Sequence, residues 1–276
     1  MTLTTKKQQP RINLNSKNMK PIQKYLIPAL MGMFAMHSSE AVAVEAPTYL
    51  PNSNGKSLTT PVAWGASNNV IFLGAGGTAP SPYSHSADGA AVLGAGIGDP
   101  AKNLGFQFLV TSIDLTQWKE YSASFHLFRD LGGASAIAVG LDNVMLTNGG
   151  DSGKSYYVVY SKGVQSNQFV NKSTGDSQLT YSIGVGSGRF GKKSPADIAD
   201  GKGTYGTYVF GNVAYEVAHS FNVITDWNGL NLNAGLSKTF FLEKIPIGVT
   251  VGVADLTKYS GDGARLIVSV GTGFAL

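Results

Sequence analysis

The sequence has no cysteine. That excludes disulfide staples and any thiolate metal site. Charge is scarce as well: 14% of the residues are Asp, Glu, Lys or Arg, against about a quarter in a typical soluble domain. Long apolar runs are missing. The most apolar stretch, 25–36, contains Pro28 and falls short of the roughly 20 residues that a membrane helix needs. No helix-period stretch of useful length occurs elsewhere. If this chain resides in a membrane, it crosses with strands. A sustained excess of one charge sign is also absent. The formal net charge of +4 comes from Lys6, Lys7, Arg11, Lys17, Lys20 and Lys24, set against the single acid Glu40 before residue 44. Beyond that point acids and bases nearly balance, which gives no support for nucleic-acid binding.

Lys20 and Lys24 precede the apolar run, and Ala41-Val42-Ala43 offers an A-x-A cleavage site before Val44. This is the form of a secretory signal peptide over residues 19–43. Residues 1–18 are polar and sit awkwardly before it. Met19-Lys20 is therefore the expected start, and 1–18 a misassigned or disordered extension. Residues 44–68 carry Pro47, Pro51 and Pro61 among many Ser, Thr and Asn, and read as an extended N-terminal segment. The region 69–276 is expected to form one β-barrel domain.

What the sequence does contain, in quantity, is glycine and a period of two. There are 35 Gly. Ala91, Leu93, Ala95 and Ile97 alternate with Val92, Gly94 and Gly96. Leu179, Tyr181, Ile183 and Val185 alternate with Thr180, Ser182 and Gly184. Leu230, Leu232, Ala234 and Leu236 alternate with Asn231, Asn233 and Gly235 after the hairpin signal Asn228-Gly229. The same alternation recurs at 70–76, 104–111, 121–128, 136–142, 156–161, 208–217, 221–228, 245–254 and 265–276, making twelve candidate strands. They follow one another directly, which suits an antiparallel up-and-down barrel. Two features separate a membrane barrel from a soluble sandwich. The second face is built of Gly, Ser, Asn and Ala rather than the Lys, Glu and Asp of a wetted sheet. Aromatics (Tyr121, Tyr156, Tyr160, Trp227, Phe240, Phe241 and Phe274) fall near strand ends, as interface girdles do. By these parities Leu232 faces lipid and Asn233 the lumen, so an arginine should be tolerated better at Asn233.

The last strand carries the sharpest signal. Leu266, Val268, Val270, Thr272, Phe274 and Leu276 form one face, and Arg265, Ile267, Ser269, Gly271, Gly273 and Ala275 the other. Twelve residues at roughly 3.3 Å each reach about 40 Å, enough to span a bilayer core when tilted. Ser269, Gly271, Phe274 and Leu276 are spaced as polar, Gly and two large apolar residues. This resembles the C-terminal assembly signal of outer-membrane β-barrel proteins, although bacterial examples usually end on Phe. Two further motifs are Gly98-Asp99-Pro100 and Gly252-Val253-Ala254-Asp255-Leu256-Thr257, followed by Gly261-Asp262-Gly263-Ala264-Arg265. With them, residues 88–276 resemble uncharacterised Gly-rich outer-membrane β-barrel-type proteins of Gram-negative-type bacteria, cyanobacteria included. The resemblance implies a barrel and an outer-membrane location, with no known activity or functional residues.

Motifs for chemistry are few. His37 lies in the leader, and no metal-ligand spacing joins it to His85, His126 or His219. His126 shares a polar face with Ser122 and Ser124, but no neighbour marks a nucleophile, so it reads as a lumen histidine rather than the base of a lipid-cleaving barrel. The Gly-rich stretches at 74–77 and 184–188 lack the Lys-Ser/Thr of a phosphate loop. Asp151, Asp176, Asp255 and Asp262 do not match a calcium loop. The candidate lumen charges are Asp142, Glu216, Asp226 and Arg265, able to line an ion path or close it by pairing. The sequence therefore points to a non-enzymatic outer-membrane barrel, a small channel or a structural envelope protein. It needs no cofactor, and its partners are the lipid bilayer and the barrel-assembly machinery. The alternative is a secreted soluble β-sandwich that binds glycan or a protein surface.

Overall fold

The computed structural model describes residues 55–276 other than 85, 114, 116, 117, 119, 148–152 and 173. The signal peptide, the extension before it and the start of the 44–68 segment lie outside the described residues, as do His85 and Asp151. Twelve strands follow in order: β1 (Val70–Ala79), β2 (Asp88–Gly98), β3 (Gly105–Ser112), β4 (Tyr121–Gly132), β5 (Ser135–Met145), β6 (Ser155–Gly163), β7 (Leu179–Gly186), β8 (Val209–Ala218), β9 (Phe221–Trp227), β10 (Leu232–Leu242), β11 (Ile245–Ala254) and β12 (Arg265–Ala275). Each pairs antiparallel with its sequence neighbour, and β12 closes the ring on β1 from Val70↔Ala275 to Ala79↔Leu266. The sheet is a single closed barrel, so the two-layer sandwich alternative fails. Closure leaves no strand edge unpaired.

The chain enters β1 and leaves β12 at the same end, here called proximal. Proximal connections are 99–104, 133–134, 164–178, 219–220 and 243–244; distal ones are 80–87, 113–120, 146–154, 187–208, 228–231 and 255–264. The tight turn at 133–134 places Gly133 and Ala134 at φ 55° and 54°, the backbone of a type I′ hairpin. The longest distal connection, 187–208, includes a short helix, Pro195–Ala199, started by a Ser194–Asp197 capping box.

The two-residue period sorts the wall. Leu93, Ile137, Val139, Ile183, Val185, Val213 and Leu236 point outward and are exposed. Their neighbours Ala138, Ser182, Gly184, Ala214 and Ser237 point inward and are buried. The core therefore sits inside the barrel, where Ala63 and Trp64 pack with Phe128, Tyr157, Val159, Phe190 and Phe210. One girdle assignment is corrected. Phe240 pairs with the outward Ile247, so Phe241, opposite Pro246, turns into the lumen.

Candidate functional site: the filled lumen

The extended segment does not hang free. Residues 55–69 form a re-entrant loop inside the barrel. From Val70 the chain runs back into the lumen past Gly98, whose carbonyl accepts from the Asn68 amide at 2.9 Å. The Ala66 amide donates to Gln107 Oε1 at 2.7 Å and the Ala63 amide to Ser161 Oγ at 2.7 Å. The tip is a turn in which the Ser57 hydroxyl donates to the Thr60 carbonyl. Here the amides of Leu58 and Thr59 both donate to Asp226 Oδ2, at 3.1 and 2.7 Å. Asn212 Nδ2 reaches Thr60 Oγ1 at 3.0 Å, and Asn233 Nδ2 reaches Asp226 Oδ1 at 2.6 Å. Asp226 and Asn233 lie near the distal ends of their strands, so the tip crosses most of the barrel. The chain then turns back. Lys56 Nζ donates to Asn222 Oδ1 at 2.6 Å and pairs with Glu216 at 3.3 Å, both nearer the proximal end.

The polar inner face predicted from sequence thus has a partner: the plug's backbone. Extended, proline-containing chain cannot satisfy its own amides, and buried amides need acceptors. Asp226, Gln107 and Ser161 on the wall supply them, while Asn212 and Asn233 donate to the hydroxyls of Thr60 and Thr59.

A second element closes the distal end. Connection 187–208 dips inward at Phe190, which is fully buried and stacks on Phe210 with ring centroids 4.3 Å apart. Gly186 and Gly184 are the hollows that admit these rings, since a Cβ there would lie 2.4 Å from Phe190 and 2.3 Å from Phe210. Arg189 ties this lid to the plug. Its guanidinium donates to the Thr59 carbonyl at 2.8 Å and pairs with Asp142 at 3.1 Å. Further out, the lid spans the mouth. Asp197, 1% exposed, accepts from Tyr83 Oη, Ser260 Oγ and the Gly261 amide, each at 2.7 Å. Tyr83 belongs to connection 80–87, and Ser260 and Gly261 to 255–264. Burial works to raise the Asp197 carboxyl, but hydrogen bonds from Ser260, Tyr83, Ser194 and Gly261 together outweigh it and hold the group well below the usual carboxylate range.

All four candidate lumen charges lie on the inner face, but they do not meet as a set. Asp142 pairs with Arg189, Glu216 with Lys56, and Arg265 with Asp255 at 2.7 Å. Asp226 takes amides and Asn233 instead of a cation. Pairing does occur, but with Arg189, Lys56 and Asp255 rather than among the four, and the plug lies against Glu216 and Asp226. Lys56, Arg189 and Asp197 were not singled out from sequence. The charge-rich composition of 187–208 was the available signal for the last two.

His126 is buried among Phe128 and Tyr157, and its Nδ1 lies 2.8 Å from the Tyr157 hydroxyl. Between the plug tip and the wall is a cavity of about 270 Å³, lined by Thr59, Pro61, Gln107, Ser124, His126 and Arg189 among others. Among the described residues, no group of His, Asp or Glu is arranged to hold a metal ion. In the assembly-signal stretch, Ser269 and Gly271 face inward, while Phe274 and Leu276 are exposed.

No family model matches the sequence, and no curated protein matches it. Among solved structures the chain is similar to the KdgM porin in complex with disordered oligogalacturonate, at 12% identity over 75% of this chain and 99% of that one, with a TM-score of 0.44. It is also similar to outer membrane phospholipase A from Escherichia coli (12% identity, 75% and 92% covered, TM-score 0.41). A third is OprB from Pseudomonas putida (7% identity, 75% and 93% covered, TM-score 0.30). These neighbours are outer-membrane β-barrel proteins. At such identity the likeness is one of fold.

Proposed function

We propose that the chain is a non-enzymatic, porin-like barrel of the outer membrane, exported by its 19–43 signal segment and kept largely closed by its own N-terminal loop. The observation that carries this reading is the outer wall. Leu93, Ile183 and Val185 are 60%, 57% and 56% exposed, within a belt of Leu, Val, Ile and Phe that runs around the barrel. Soluble monomers rarely expose contiguous apolar patches beyond a few hundred Å², whereas lipid is the natural solvent of such a belt. Tyr160, Tyr181, Tyr215, Phe240 and Phe274 toward the proximal ends, and Tyr121, Tyr156 and Trp227 at the distal ends, suit the two interfaces.

On this reading the proximal end faces the periplasm. The lipid bilayer and the barrel-assembly machinery are the partners, the latter recognising Ser269, Gly271, Phe274 and Leu276. Asp142, Glu216 and Asp226 hold the plug and lid in place, and Arg265 braces the distal rim. The test is fractionation followed by gel electrophoresis. The protein should require detergent for extraction and migrate differently before and after boiling, with a mature N-terminus at Val44. Release by buffer alone, with mobility unchanged by boiling, would contradict it.

A further inference from the structure

The plug fills the lumen unevenly. From β4 to β10 most of the inner wall is covered, apart from the cavity beside Ser124 and His126: Ser122, Ser161, Thr180, Asn222, Asp226 and Asn233 are each 0–1% exposed. Glycine hollows on that side hold rings, as at Gly140, where a Cβ would lie 2.0 Å from the Tyr157 ring. Across the barrel the situation reverses. Ser269 is on the inner face of β12, opposite Gly76 and Thr250, yet it is exposed. Thr250, Gly248, Gly271, Gly74 and Gly76 are partly exposed. A Cβ on Gly248 would meet nothing nearer than the Gly271 carbonyl oxygen at 3.9 Å. No side chain from the plug or lid reaches that point.

We propose that a water-filled path runs along the inner faces of β11, β12 and β1, and that it carries small uncharged polar solutes. This rests on the porin-like reading. Its chemistry follows from the wall. Mid-path the groups are the hydroxyls of Thr250 and Ser269 and backbone, with Ile267 toward the distal end and Phe72 and Pro246 at the narrower proximal end. Among the described residues, the ionisable side chain on these inner faces is at the distal end, where Arg265 is already engaged by Asp255 at 2.7 Å and by Thr78 at 2.9 Å, with Asp88 opposite Thr78 on β2; Glu243 and Lys244 are exposed on the proximal turn. An ion entering a narrow neutral bore loses hydration without a compensating charge. A polyol or small sugar exchanges its water hydrogen bonds for those of Ser269 and Thr250. Glu216 and Asp226 lie behind the plug and do not set selectivity.

The cysteine-free sequence makes the test direct. Single variants Ser269→Cys, Thr250→Cys and Ser237→Cys are reconstituted in phosphatidylcholine vesicles, with boiling-dependent gel migration confirming that each has folded. A small uncharged thiol reagent bearing a sugar group, too polar to cross lipid, is applied, and arabinose entry is followed by vesicle swelling. Ser237 is 4% exposed, bonded to the Gly55 carbonyl. Cysteine at 269 or 250 should react on the order of tenfold faster than at 237, as access dictates, and the bulky adduct should slow swelling several-fold. Equal reaction rates overturn the path. Fast reaction with unchanged swelling also overturns it and leaves the porin reading standing. An unmodified protein that admits no arabinose refutes the porin reading itself, and the solute assignment with it.

Discussion

Asp226 shows what a single residue does in this lumen. Its carboxylate takes two plug amides, the Thr59 hydroxyl and Asn233 Nδ2, all away from water at 1% exposure. Asp226→Ala strands those donors, and leaving buried donors unsatisfied costs about 1–3 kcal/mol. Urea unfolding from lipid vesicles, read by tryptophan fluorescence, should show a loss in that range; an unchanged midpoint would contradict the plug's anchoring. Asp197 is the corresponding residue of the lid. Its folded value is depressed, so its stabilisation is complete above the ordinary aspartate range near about 4 and fades as pH falls toward the folded value. The difference in Tm between wild type and Asp197→Asn should therefore be constant at neutral pH and shrink below about pH 4. A difference that persists unchanged in acid would remove Asp197 from that role. The sequence revealed the sidedness of Asp142, Glu216, Asp226 and Arg265 through parity alone. It could not show their partners, since Lys56 and Arg189 reach them from segments without periodicity.

At the scale of the element, the period of two carried nearly all the information. Strand number, order and the outward side of each strand follow from alternation, because each strand has one apolar outer face and one small or polar inner face. Phe241 escaped because both Phe240 and its neighbour are aromatic, so parity at that strand end had to come from the pairing with Pro246. The comparison of arginines at Leu232 and Asn233 also changes. Both residues face as expected, but Leu232 opens its strand rather than sitting at mid-membrane, and Asn233 is 0% exposed with its amide on Thr59 and Asp226. Leu236, 44% exposed and central in β10, is the better lipid probe. Leu236→Arg should cost about 2–4 kcal/mol of folding into bilayers. Asn233→Arg should fold less well than wild type too, by expelling the plug tip. Folding yields into vesicles decide this. Undiminished folding of Asn233→Arg would mean that the tip does not occupy its place.

The described part of the chain is a barrel narrowed from both ends, by residues 55–69 from the proximal side and by 187–208 from the distal side, with Arg189 of the latter bonded to Thr59 of the former and to Asp142 on the wall. The Ser, Thr and Pro composition of the plug marks an extended segment and carries no period from which its partners inside the barrel could be read. Its complement was nonetheless visible in the neutral polar side chains lining strands that carry few compensating charges. Removing the tip should widen the bore without opening the sheet, because the strand ladder from β1 to β12 is complete without it. Deletion of residues 55–61 retains Ala63 and Trp64, which pack in the internal core. The decisive measurement is the solute size limit in vesicle swelling, wild type beside this deletion, with both proteins first shown to be boiling-sensitive on gels. The account predicts that wild type admits only small sugars and that the deletion admits distinctly larger ones. Identical size limits for the two would contradict a lumen filled by its own N-terminal loop.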